Sequence, residues 1–473
     1  MIRNTLFMLA STILRFVSGV LLFVIMARFW GPETFGYFMY PYTLVTIIVI
    51  LIDYGFNLQI VRDIGKNAQH AHKLTCEAVV AKSLLVIAVT LVGLPLLFLV
   101  DVLDGYRILL LLLILSNVLS SYSLLFNLTF RGMGLFNKET IVAFWSSLAT
   151  FILVGGLVFL GKGPIAAAFG FLLSKIFSLG LSWAIYQRLI GGVKFIYPSR
   201  NAVFKMLRTG FPFAAHVALG TLYFSVDTLV IQYFMGPEKV GIYQAGFRIM
   251  VGGLILTDVL SNVYLSKMAA DSSDRNALVN LATSMTRHCL MIGVLGFVFL
   301  SGFSDLLVKF FYGNSGFAEV IQLFPLFGVV LLLRYWGASY GILLTVDDRQ
   351  IVRMIGVGLS VIVSISLNII LIPRFNLIGA LTASIITHVF LNSIYIFFAC
   401  RQVRSWLIET RSGILIFIAM LMGFIQLAIV PHYGIMPYSL IFVTILFVGL
   451  VGITPAEYSK LVKRLQINMS NAI

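Results

Sequence analysis

Apolar residues run through this chain in long blocks separated by short polar connections, with neither the alternation of a half-buried strand nor the one-sided stripe of a solvated helix. Fourteen blocks approach the roughly 20 residues that a helix needs to cross hydrocarbon. They are 5–29, 36–61, 78–100, 107–130, 141–160, 164–186, 210–234, 241–267, 284–308, 319–344, 352–373, 377–400, 412–431 and 436–453. In lipid every backbone N–H and C=O must be bonded within its own segment, which selects helices over open sheets. The pattern predicts an all-α polytopic membrane protein with fourteen transmembrane spans.

The blocks are not independent. Gly31-Pro32-Glu33-Thr34-Phe35-Gly36 returns as Gly236-Pro237-Glu238-Lys239-Val240-Gly241. The same offset aligns Phe29 with Phe234, Ile50 and Leu51 with Ile255 and Leu256, Asp53 with Asp258, Asn57 with Asn262, and Arg62 with Lys267. The repeat makes spans 1–2 equivalent to spans 7–8. It predicts two pseudo-symmetric six-helix lobes, 1–200 and 201–405, followed by 406–473 with spans 13 and 14 and a tail. The repeated motif reads as an external hairpin in which Pro32 presets φ and the glycines tolerate the turn, with Trp30 at the membrane interface. On this reading its residues contact no cargo.

Composition agrees and adds an orientation. Hydrophobic residues make up 60% of the chain and charged ones 11%, with a mean hydropathy of +1.02, whereas soluble domains are about 25% charged. A net charge of +15 would suit a nucleic-acid partner. The basic residues nevertheless gather on the connections of one side, among them Arg62, Lys66, Lys73, Arg131, Lys138 and the cluster Arg188, Lys194, Arg200, Lys205 and Arg208. That is the positive-inside pattern, so both termini are expected in the cytoplasm, with the basic connections meeting lipid head groups and no nucleic acid. Cys76, Cys289 and Cys400 fall at cytoplasmic span ends without metal-ligand spacing, so neither a disulfide nor a metal is expected. The first block is too long for a signal segment and carries Arg15 in its middle, which predicts a retained span.

Several stretches carry a family resemblance. Asp53-Tyr54-Gly55-Phe56-Asn57 closes span 2. Tyr223-Phe224-Ser225-Val226-Asp227 precedes the second Gly-Pro-Glu turn, and Val240-Gly241-Ile242-Tyr243 follows it. Leu367-Asn368-Ile369-Ile370-Leu371-Ile372-Pro373, then Gly379-Ala380, joins spans 11 and 12. Here Pro373 is expected to end a helix, and Gly379 and Ala380 to let the next one pack closely. Together these resemble the polysaccharide transport family of the multidrug/oligosaccharidyl-lipid/polysaccharide (MOP) flippase superfamily, including its O-antigen (Wzx-type) flippases. The two spans beyond twelve resemble its fourteen-helix lipid-carrier flippases.

The resemblance implies the V-shaped MOP transporter fold and a carrier that is not an enzyme and uses no cofactor. It implies an undecaprenyl-diphosphate-linked oligosaccharide, the O-antigen repeat unit, as cargo. Translocation would run from the cytoplasmic to the periplasmic leaflet of the bacterial inner membrane by alternating access, coupled to H+ or Na+, with polysaccharide polymerase and chain-length proteins as partners. A cation-coupled multidrug exporter is the alternative. A membrane polymerase or ligase is disfavoured by short external connections and by the lack of paired catalytic carboxylates, a nucleophile elbow or a metal cluster in the sequence, and there is no P-loop pattern for ATP use.

Charges within spans are costly and therefore candidates for function. By predicted depth Arg15 matches Asp53, Asp227 matches Arg248, and Asp258 repeats the depth of Asp53. Lys82 lies near enough to a span end to snorkel. Depth nominates no carboxylate for Lys175 in span 6 or Arg334 in span 10. With the resemblance, Arg15, Lys175, Arg248 and Arg334 become candidates for holding diphosphate, for which the guanidinium fork is well shaped. Tyr335 and Trp336 become candidates for sugar faces, and Asp53, Asp227 and Asp258 for ion coupling. His216 and His388 read as hydrogen-bonded packing residues.

Overall fold

The structure is a computed structural model, and it describes residues 2–189, 195–270, 274–347, 349–403, 407–433 and 438–454. Among these residues the chain is helical throughout, with no strand. The helices are α1 (Ile2–Asp53), α2 (Phe56–Lys66), α3 (Ala71–Leu99), α4 (Arg107–Gly132), α5 (Phe136–Thr150), α6 (Gly156–Phe159) and α7 (Pro164–Leu189). There follow α8 (Arg200–Gly253), α9 (Ile255–Ala270), α10 (Arg275–Gly302), α11 (Ser304–Tyr312), α12 (Val320–Val346), α13 (Gln350–Val403), α14 (Thr410–Tyr433) and α15 (Tyr438–Gly452). Nine continuous helical segments among the described residues are long and apolar enough to cross a membrane. Three of them join expected spans end to end: 1 with 2, 7 with 8, and 11 with 12.

Single residues make these joins. Gly31 (φ 74°) breaks α1 and Gly236 (φ 80°) breaks α8, so the two copies of the motif turn at the same position in the same conformation. Asn376 (φ 55°) breaks α13. The helix runs through Pro373 and reverses only at Asn376, contrary to the expectation that the proline would end it. The close packing expected of Gly379 is present, since a Cβ there would lie 2.2 Å from the Leu371 carbonyl oxygen.

The two Gly-Pro-Glu turns do not stand apart as separate hairpins. A Cβ on Gly36 would lie 1.7 Å from the carbonyl oxygen of Pro237, and one on Gly241 would lie 1.9 Å from that of Pro32. The last glycine of each copy thus sits on the main chain of the other.

Packing gathers the chain into two compact units, Met1–Arg248 with Phe311–Phe317, and Ile249–Phe310 with Ala318–Ile473. In the first, α1, α4, α5 and α7 pack together. An apolar core of Phe56, Ile60, Ile64, Ala78, Leu125 and Met206 holds α2, α3, α4 and the start of α8. Between Thr150 and Gly156 the helix widens into a π-helical turn, Phe151–Gly155. Turns of this kind are rare and cluster at functional sites.

In the second unit α12 packs against α10 and α13, and the C-terminal pair α14 and α15 buries Leu415, Ile418, Met422, Ile441 and Val448 against Leu290, Val294 and Phe297 of α10. Asp274 caps α10 by accepting from the N–H groups of Asn276 and Ala277, at 2.9 and 3.2 Å. Arg287, buried on α10, donates to Glu409 Oε1 at 2.6 Å and to the Gly452 carbonyl at 3.2 Å. One guanidinium thereby ties both ends of the C-terminal pair to α10. Glu409 keeps about a third of its side chain exposed, which moderates the loss on truncation. Arg287→Ala is expected to cost about 2 kcal/mol, read as a lower melting temperature in detergent and earlier proteolysis at the C-terminal pair.

Candidate substrate cavity

Helices α1, α4, α5 and α7 line a half-open cavity of about 270 Å³ in the first unit. Its wall is polar for a membrane interior. Ser18, Ser120, Asn127, Ser146, Ser147 and Thr150 line it together with Lys175 and Ser178, and Phe23, Tyr42, Phe151 and Phe171 supply its aromatic side. The hydroxyls bond one another across helices. Ser123 Oγ and Ser178 Oγ lie 2.9 Å apart, Ser146 donates to Ser178 at 2.8 Å, and Thr150 donates to Ser174 at 3.1 Å. Each hydroxyl both donates and accepts, so the wall suits a ligand with either kind of oxygen. Asn127 is buried, and its side-chain carbonyl oxygen has no hydrogen-bond partner among the described residues. A buried acceptor left in that state is costly.

Lys175 therefore opens onto a hydrophilic chamber. Arg248 backs the same wall, its guanidinium 4.2 Å from the centroid of Phe23 and 5.8 Å from that of Tyr42. Such stacking is favourable to a cation where water is excluded. The pairing of Arg248 with Asp227 expected from depth is not what the structure gives. Tyr243 donates to Asp227 at 2.6 Å, and Gln244 Nε2 donates to Thr228 Oγ1 at 2.6 Å, bracing the two arms of α8 across the Gly236 break. Residues at one depth on two helices need not face one another, because successive side chains turn by about 100°. The Arg15 side chain lies outside the described residues.

Asp53 ends α1 and has a well-defined partner. Lys82 of α3 donates to Asp53 Oδ1 at 2.9 Å and to the Ser121 carbonyl at 3.0 Å, and the Ser121 hydroxyl donates to the same carboxylate oxygen. Lys82 is 1% exposed. It does not snorkel, because α3 begins at Ala71, well before the expected start of span 3, and places Lys82 three turns inside the helix. Immediately after Asp53 the backbone takes positive φ at Tyr54 (44°) and Gly55 (70°). A Cβ on Gly55 would lie 2.6 Å from the main chain at Phe213 and Ala214 of α8. The charge cluster thus sits at a break in the chain held against α8.

In the second unit the trio Arg334-Tyr335-Trp336 separates. Arg334 lies on α12 and Asp258 on α9, two helices that pack against one another. His388 Nδ1 lies 2.7 Å from the Ser384 carbonyl. Tyr335 is buried and donates to the Gly253 carbonyl at 2.5 Å, where α8 gives way to α9. Trp336 packs on the core between α10 and the C-terminal pair. Both rings thus pack within the second unit.

From the sequence Lys82 reads as a snorkelling lysine, and Ser121, Asn127 and the hydroxyl set carry no assigned role. A signal was present: Ser116, Ser120, Ser123 and Asn127 recur at spacings of four, three and four residues along one face of α4.

Comparison with known proteins supplies the family. The profile of the family described as "Polysaccharide biosynthesis protein" matches residues 1–257, more than half of the chain. The chain belongs to this family. The "Probable flippase AglR" of Haloferax volcanii is 26% identical over 256 residues, and that match spans about half of each protein, 52% of this chain and 51% of the relative. The "Putative O-antigen transporter" of Escherichia coli strain K12 is 24% identical over 416 residues, covering 84% of this chain and 96% of that one. Among solved structures, "Lipid II flippase MurJ, inward closed conformation" superposes with a TM-score of 0.75 at 18% identity, over 98% of this chain and 100% of the other. The family member described here is thus a multi-pass membrane protein with the MOP fold, as the sequence resemblance implied.

Proposed function

We propose that this protein is a flippase that carries an undecaprenyl-diphosphate-linked oligosaccharide, an O-antigen-type repeat unit, from the cytoplasmic to the periplasmic leaflet of the bacterial inner membrane. Membership of the polysaccharide biosynthesis family carries this reading. One curated relative is named as a flippase and another as an O-antigen transporter. The cavity supports it physically. At about 270 Å³ it falls just below the ~300–1,000 Å³ of sites that bury whole drug-sized ligands. It suits the charged diphosphate and adjoining atoms, with the sugars in the wider aqueous path and the lipid tail in the bilayer. Lys175 supplies the opposing charge, the hydroxyls and Asn127 satisfy the remaining polar atoms, and Arg334 is the second cationic station.

The cycle is alternating access between the repeat-related lobes 1–200 and 201–405, with 406–473 as an added helix pair and both termini cytoplasmic. Coupling to H+ or Na+ falls to Asp53, whose carboxylate is held by Lys82 and Ser121 at the break in the chain. Polymerase and chain-length proteins would receive the product.

Deletion of the gene tests the reading. Surface glycan is expected to disappear while the lipid-linked repeat unit accumulates on the inner leaflet. Undiminished display, together with new sensitivity to cationic drugs, would favour a multidrug exporter instead.

A further inference from the structure

The first unit carries a second half-open cavity, of about 490 Å³, that shares no lining residue with the one described above. It lies among the basic connections expected in the cytoplasm, and three elements meet around it. Lys66 comes from the last turn of α2, Lys73 from the first turn of α3 and Lys205 from the second turn of α8. Lys205 is far from the other two in sequence, so folding brings the three ammonium groups to one wall.

Hydrogen bonds hold that wall together. Gln59 of α2 lines it and is 2% exposed, and its Nε2 donates to the Met206 carbonyl at 3.2 Å and to Thr209 Oγ1 at 2.8 Å. With the apolar contacts of Ile60, Ile64 and Met206, these bonds fix α2 against α8. Asn67 Oδ1 accepts from the Gln69 N–H at 3.1 Å and braces the turn between Lys66 and Lys73.

Charge on the wall is unbalanced. Its carboxylates are Asp63 and Glu77, and Asp63 already pairs with Arg62 at 2.8 Å. Among the described residues Lys66, Lys73 and Lys205 enter no ion pair. Three ammonium groups are thus set against one carboxylate that is not already engaged. Lysine binds phosphate as a point charge, and Asn67 and His70 add neutral donors to the wall. The neighbours of Lys205 indicate what carries the phosphate. Tyr197, Phe204 and Phe211 are exposed and alternate with Arg200, Lys205 and Arg208. Rings interleaved with cations suit a segment lying in a head-group layer.

We propose that this basin is a binding site for the phosphodiester head group of an anionic phospholipid of the inner leaflet. The three lysines hold the phosphate, and the exposed rings beside Lys205 enter the bilayer next to it. One bound lipid ties the start of α8 to the α2–α3 turn, which a diffuse attraction between basic connections and the membrane surface does not do. Neither the cargo nor the coupling ion enters the test.

The purified full chain is released into native mass spectrometry from micelles holding phosphatidylglycerol and phosphatidylethanolamine in equal amounts. A phosphatidylglycerol adduct is expected to predominate, at one lipid per protein. A lysine near an anionic head group strengthens binding about fivefold, so Lys205→Gln is expected to reduce the adduct by about that factor. Lys66→Gln, Lys73→Gln and Lys205→Gln combined are expected to abolish it at unchanged melting temperature, because all three side chains are exposed. A control with the same loss of charge outside the basin, Arg188→Gln with Arg349→Gln and Arg401→Gln, is expected to keep it. Equal loss in the control overturns the site and leaves diffuse attraction only, as does the absence of a selective adduct. Displacement of the lipid by millimolar inorganic phosphate would assign the basin to a soluble anion and overturn the lipid assignment.

Discussion

A Lys82→Met variant is expected to lose about 3 kcal/mol of stability, the lower end of the cost of stripping one partner from a buried ion pair. The lower end applies because the Asp53 side chain remains 20% exposed and water replaces part of what is lost, whereas the lysine side chain is only 2% exposed. The methionine fills most of the lysine's volume, so the deficit is electrostatic: a carboxylate in the membrane keeps the Ser121 hydroxyl but no counter-charge. Adding Asp53→Asn removes that carboxylate, and the double variant is expected to recover most of the lost melting temperature in detergent. A single variant that melts like the parent would show that the pair contributes nothing to folding. The double variant also tests coupling: if it still transports and its transport still depends on the ion gradient, Asp53 is not the coupling carboxylate.

Lys175→Ala is expected to abolish glycan display while leaving protein abundance unchanged, because the ammonium borders a polar cavity and not an apolar core. A charge-assisted contact to diphosphate is worth about 2–3 kcal/mol, which corresponds to a roughly 30- to 150-fold loss of apparent affinity. Lys175→Arg keeps the charge and is expected to retain part of the activity, whereas Lys175→Met is expected to fail like alanine. Normal display in the alanine variant, at normal abundance, would remove Lys175 from the binding site. Asn127→Asp makes a useful companion: it places a negative charge on a residue that lines the cavity and should weaken binding of an anionic group through repulsion.

The spans and their equivalence were legible in the sequence because both rest on one-dimensional signals. The apolar blocks fell on helix, and the constant offset from Phe29 to Lys267 placed the two breaks at Gly31 and Gly236. Burial and azimuth were less legible. Hydropathy places the start of span 3 at 78 and Lys82 near its end, whereas the helix starts at Ala71 and buries it. Asp227 and Arg248 were matched by depth, but Arg248 faces the rings of Phe23 and Tyr42 on α1, a cross-helix relation that no spacing on α8 encodes. The hydroxyl face of α4 stayed hidden for a different reason. Serine and threonine in apolar helices ordinarily bond a carbonyl four residues back, as Ser116 does to Leu112 at 2.6 Å. Only the arrangement of three helices shows that Ser123, Ser146 and Ser178 bond across instead.

The reciprocal seat of Gly36 and Gly241 also determines how mutations there can be repaired. Most packing defects admit second-site suppressors, because a neighbouring side chain can be trimmed to make room. Here the obstructing atoms are the carbonyl oxygens of Pro32 and Pro237, and every amino acid carries that atom. No substitution at either proline removes it, so a methyl group added to one half of the molecule meets an obstacle that the genetic code cannot shorten in the other. Relief must come from displacement of a whole helix arm, and suppressors of Gly36→Ala should therefore map to hinge positions such as Gly31 and Gly236 and not to the residues surrounding the lesion.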